Sequence, residues 1–114
     1  MAVRYFRADD DGVPGPALEI RHVGAFRILW PVKAGQRSFS VWCRHSGRTP
    51  LPRVRVAAEP ALGVEQEIVA EASDTDDWHR IELSVEPTDD GVLEVYLEVR
   101  APASWARWDR VEVS

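Results

Sequence analysis

The sequence predicts an all-β protein: an antiparallel two-sheet β-sandwich of about eight short strands. Three observations carry this. Apolar and polar residues alternate with period two through most of the chain. Eight prolines and seven glycines break the alternation into short runs. Helical periodicity is almost absent. At 114 residues the chain fits a single domain, 1–114, large enough to bury a core without metals or disulfides. Residues 1–16 read as an N-terminal arm or an edge strand.

From the N-terminus, VRYFR and ALEIRHV read as two strands around the loop ADDDGVPGPA. AFRILWPVK places Phe26, Ile28, Trp30 and Val32 on one face, and KAGQ is a turn. In RSFSVWCRH, Phe39, Val41 and Cys43 share one face, opposite Ser38, Ser40, Trp42 and Arg44. After the loop SGRTPLP, RVRVAAE sets Val54 and Val56 against Arg53 and Arg55, and EPALG turns again. VEQEIVAEA has residues that favour helix, but its neighbours are strands, so it reads as a strand or an irregular crossing.

The second half alternates more cleanly. SDTDD is a polar loop, then WHRIELSVE places His79, Ile81, Leu83 and Val85 inward. PTDDG is a turn, and VLEVYLEVR sends Leu93, Val95, Leu97 and Val99 inward. Trp105 and Trp108 flank a loop at one end, and DRVEVS closes the chain with Val111 and Val113 on one face. If the strands bearing Arg53/Arg55, Glu82/Glu86 and Glu94/Glu98 are neighbours, opposite charges pair across the outer faces.

Composition narrows function. A net charge of −5 with scattered arginines offers no basic footprint for nucleic acid. No window reaches the length of a membrane span, and the N-terminus lacks the apolar run of a signal peptide. One cysteine excludes an intrachain disulfide. There is no G-x-S-x-G elbow, no C-x-x-C or H-x-H spacing for zinc, and no glycine-rich phosphate loop, so an enzyme is not expected. Cys43 and His45 share a strand face, as a conceivable dyad or a half-buried pair.

The order of pieces resembles a known family. A V-x-A-G turn precedes SFSVWCRH, R-V-R-V, P-A-L-G, D-x-D-D-W, I-E-L-S-V, P-T-D-D-G-V-L-E-V-Y-L-E-V and W-D-R-V-E-V. This resembles the galactose-binding-like, or carbohydrate-binding-module-like, jelly roll over roughly residues 17 to 114, of the small stand-alone kind found among phage and viral structural proteins. The resemblance implies a jelly-roll sandwich and a non-enzymatic virion structural protein, a capsid decoration or a head- or tail-associated piece. It would be made in the host cytoplasm and reside in the virion. Its partners would be its own copies, as a homo-oligomer, or other capsid or tail proteins. The alternative is a carbohydrate-binding module that stacks sugars on exposed tryptophans.

The candidate interface or ligand-binding residues are Trp42, Tyr96, Trp105, Trp108 and Arg44. Aromatic rings serve either purpose: they bury area against another subunit, or offer a flat face to the C–H groups of a pyranose. Trp30 reads as core and Trp78 as cover for a sheet edge. Acidic clusters occur at Asp9, Asp10 and Asp11, at Asp74, Asp76 and Asp77, and at Asp89 and Asp90. Jelly rolls often hold a structural Ca²⁺ on loop oxygens, so Asp74, Asp76 and Asp77 are weak candidates, although the D-x-D-x-D-G run is missing. No cofactor is otherwise expected.

Overall fold

Alternation in the sequence becomes alternation in the backbone. The structure, a computed structural model, describes residues 2–6 and 17–114. Nine strands form among them: β1 (Ala2–Phe6), β2 (Ala17–Arg21), β3 (Gly24–Val32), β4 (Ser38–His45), β5 (Arg53–Val56), β6 (Ile68–Glu71), β7 (His79–Ser84), β8 (Gly91–Val99) and β9 (Trp105–Val113). One sheet has the order β1-β2-β9-β4-β7 and the other β3-β8-β5-β6, with every pairing antiparallel. Successive strands mostly cross from one sheet to the other, which is the winding of a jelly roll. The predicted all-β sandwich is therefore the observed fold. The cluster Asp9, Asp10 and Asp11 lies outside the described residues.

The core fills from both sheets. Val54, Val56, Leu93, Val95 and Val99 of one layer meet Ile20, Phe39, Val41 and Ile81 of the other, all nearly inaccessible to water. Each such side chain contributes about 1.5–3 kcal/mol relative to exposure. VEQEIVAEA resolves into a crossing followed by β6, with Glu59 bridging Val64 just before it. The PAL turn at Pro60–Leu62 ends on Gly63 (φ 78°), where a Cβ would lie 2.6 Å from Thr88, so only glycine fits.

Several expectations change. Trp105 and Trp108 do not flank a loop; both lie within β9. Residues three apart in a strand face opposite sides, so Trp105 is half-exposed while Trp108 is 2% exposed and enters the core. As a surface anchor Trp108 is thus excluded. Trp30 is only half-buried at the margin of the core, because β3 is an edge strand. Arg53 and Arg55 do reach Glu98, but Glu82 lies on the other sheet, near Arg80 at 3.8 Å.

β9 also contains a bulge. Its pairing with β4 shifts between Ser40 and Trp42, and Arg110 adopts φ 51°. Asp109 lies opposite Trp42 and Glu112 opposite Ser40, so β9 spends one more residue than β4 across this interval. Val111 and Val113 thereby turn toward the core even though Trp105 and Arg107, of the same parity, face outward.

Candidate functional site

The outer face of the five-stranded sheet carries two half-exposed indoles. In register, Arg21 of β2 opposes Trp105 of β9; next, Glu19, Arg107 and Arg44 form a row across β2, β9 and β4; then Asp109, Trp42 and Arg80 form another across β9, β4 and β7. Trp105 and Trp42 are thus separated by four strand positions, about 13 Å along the sheet at strand rise. The arginine row lies between them. This span suits a short oligosaccharide rather than one ring.

The row is held from beneath. Glu19, between Leu18 and Ile20, faces outward yet is fully buried. Its Oε1 accepts from Arg21 Nε at 2.7 Å and its Oε2 from Arg107 Nε at 2.8 Å. A buried carboxylate is tolerable only when its charge is met this closely. The Arg107 guanidinium in turn lies 4.9 Å from the Trp105 ring centre, a cation–π contact that orients the indole. Arg44 Nε donates to the Asp76 carbonyl at 2.8 Å, tying the face to the loop before β7. The result is two flat apolar rings with charged hydrogen-bonding groups between them.

The remaining candidates go elsewhere. Tyr96 lies on the outer face of the opposite sheet, where Arg55 covers its ring at 4.1 Å and its hydroxyl donates to Glu94 Oε2 at 3.0 Å. Asp74, Asp76 and Asp77 are not gathered, and no group of three or more ligating side chains able to hold a metal occurs among the described residues. The carbonyls of Asp76 and Asp77 are instead engaged by Arg44 and His79. The sequence reading missed Glu19 and Arg107; the signal available was Glu19 standing at an outward position within an apolar run.

The Cys43–His45 pairing is not a dyad. Burial pushes the Cys43 thiol far up, leaving it protonated. His45 Nδ1 accepts the Gly47 N–H at 2.9 Å, so Nε2 carries the proton and donates to the Ser73 carbonyl at 2.7 Å. His79 accepts the Ser73 N–H on Nε2 at 3.0 Å and meets the Asp77 carbonyl through Nδ1 at 3.1 Å. Both imidazoles, edge to face at 5.7 Å, thus hold the β6–β7 loop.

Two solved structures are similar to nearly the whole chain. The structure of TmCBM61 in complex with β-1,4-galactotriose matches with a TM-score of 0.69 at 17% identity, over 99% of this chain and 81% of that one. A structure bearing on the promiscuous specificity of carbohydrate-binding modules from the β-sandwich superfamily matches with a TM-score of 0.58 at 11% identity, over 99% of this chain and 52% of that one. No family model and no curated protein matches the sequence. At such identities the likeness shows the fold, a β-sandwich shared with carbohydrate-binding modules. The virion expectation is corrected by the same finding: both neighbours are carbohydrate-binding modules, which favours the alternative, and neither points to a capsid or tail role.

Proposed function

We propose that this chain is a carbohydrate-binding module that lays a neutral oligosaccharide across the outer face of its five-stranded sheet. The observation that carries the proposal is the placement of Trp42 and Trp105, half-exposed on one face and separated by the Arg44–Arg107–Glu19 row. The indoles stack on pyranose C–H faces, and the Arg44 and Arg107 guanidiniums between them donate to hydroxyls.

The neighbour solved with β-1,4-galactotriose makes β-1,4-galactan the first probe. Isothermal titration against galactotriose, with a glycan array for other chains, tests the proposal. Trp42→Ala and Trp105→Ala are each expected to weaken binding about tenfold, the equivalent of about 1.4 kcal/mol. Binding that survives the double substitution in a folded protein, or no binding to any arrayed glycan, would overturn it.

A further inference from the structure

Residues 72–78 join β6 to β7, and two imidazoles grip the backbone of Ser73 in this loop from both sides. The Ser73 carbonyl accepts from His45 Nε2 at 2.7 Å, and the Ser73 N–H donates to His79 Nε2 at 3.0 Å. These contacts fix the tautomers. His45 accepts the Gly47 N–H on Nδ1, so its proton sits on Nε2. His79 accepts on Nε2, so its proton sits on Nδ1 and goes to the Asp77 carbonyl at 3.1 Å. Both rings are neutral, in opposite tautomers.

The grip extends to the outer face. The Ser73 carbonyl also accepts the Thr75 N–H at 3.0 Å, and Thr75 Oγ1 accepts the Asp77 N–H at 3.3 Å, so the loop hangs from Ser73. The carbonyl just before that of Asp77 belongs to Asp76, and it accepts Arg44 Nε at 2.8 Å. Arg44 stands in the row between Trp105 and Trp42. At the other end Ala72 is buried, with its N–H on the Pro52 carbonyl at 2.8 Å. Any displacement of the loop therefore falls on residues 73–78, which include the acceptor that holds Arg44.

Resting on the glycan-binding proposal, we infer that His45 and His79 are positioning residues for Arg44 and make glycan binding weaken as pH falls. Only a neutral imidazole accepts a hydrogen bond. A proton added to His79 sets an N–H against the Ser73 N–H, and one added to His45 sets an N–H against that of Gly47. Both together place two cations with ring centres 5.7 Å apart. Each of these opens the loop and withdraws the Asp76 carbonyl from Arg44. The groups around the pair do not offset this. Cys43, directly opposite His79 on β4, is buried and protonated, and β9 offers only Ala106 and Trp108. The inward residues of the other sheet are apolar. The carboxylates of Asp74, Asp76 and Asp77 are exposed, and among the described residues none is bonded to either ring.

Long-range proton–nitrogen NMR of the full chain tests this between about pH 7.5 and about pH 5, the range in which imidazoles change charge. At the upper end His45 is expected to carry its proton on Nε2 and His79 on Nδ1. The Arg44 Nε–H resonance, assigned by its loss in Arg44→Lys, is expected to move with the histidine midpoints. Titration with β-1,4-galactotriose is expected to weaken about three- to tenfold across the same range. His79→Gln keeps an acceptor for the Ser73 N–H but takes up no proton; it is expected to retain binding at the upper pH and to lose much of the pH dependence. His79→Leu, with no acceptor, is expected to bind weakly throughout. If His79→Gln does not fold, His45→Asn, which keeps an acceptor for the Gly47 N–H, replaces it. Both rings in one tautomer, an Arg44 resonance indifferent to the histidines, or a folded His79→Gln with unaltered pH dependence overturns the inference. Galactotriose and every other arrayed glycan failing to bind at any pH overturns the glycan proposal instead, and the Arg44 resonance still decides whether the histidines hold the arginine.

Discussion

Glu94 accepts two hydrogen bonds on the outer face of the four-stranded sheet, from Arg27 Nη2 at 2.7 Å and from the Tyr96 hydroxyl at 3.0 Å. The hydrogen bond from Arg27 chiefly, then that from Tyr96 and the arginine's charge, hold its carboxyl below the usual carboxylate range. The sign follows from linkage. A carboxyl whose folded pKa lies below its unfolded one stabilises the fold above the unfolded value, and that contribution disappears as pH falls through the folded one. Carboxyl-carbon NMR is expected to show Glu94 titrating below the usual carboxylate range, and to return toward that range in Arg27→Ala. An unchanged Glu94 midpoint in that variant would remove the arginine as the cause. Residue types at this scale were partly readable in advance: outward Arg and Glu followed from parity, and Tyr96 was correctly placed outward. Parity says nothing of the partner across the sheet, so the Arg55 guanidinium that covers the Tyr96 ring was not foreseen.

Within β9, the bulge explains why period-two reading failed for one stretch only. Alternation holds from Trp105 to Asp109, slips at Arg110, and resumes with Val111 inward. Nothing in W-D-R-V marks the slip, since an arginine is not the residue that left-handed geometry favours; glycine would have been the signal. Arg110→Gly is accordingly expected to raise stability by roughly 0.5–1 kcal/mol, and Arg110→Val to lower it by about 1–2 kcal/mol, a β-branched residue being the least tolerant of this conformation. Urea denaturation midpoints at constant slope check both. The same element shows how a spacing of three was legible but misread. Once Trp105 and Trp108 share a strand, one indole must face out and the other in.

Across the whole molecule, the layered architecture was legible because nearly every inward position on β4, β5, β7 and β8 is apolar. The order of strands was not, since β2 meets β9 and β4 meets β9 across most of the chain's length, and no local pattern encodes such pairings. The outer face is a product of that order, which explains why Trp42, Arg44 and Trp105 emerged as candidates while their arrangement did not. The terminus matters for the same reason. Ser114 exchanges backbone hydrogen bonds with Ser38 at 2.9 and 3.1 Å and accepts another from Arg37 at 2.7 Å, while Val111 and Val113 pack on the core. Deleting residues 111–114 is expected to cost about 3 kcal/mol in urea unfolding, from two half-buried valines and the lost bonds together. A further consequence belongs to light rather than heat. Two chromophores three residues apart in β9 look into different media, so the emission of this segment sums a dry, blue-shifted component from Trp108 and a wetter, quencher-accessible one from Trp105.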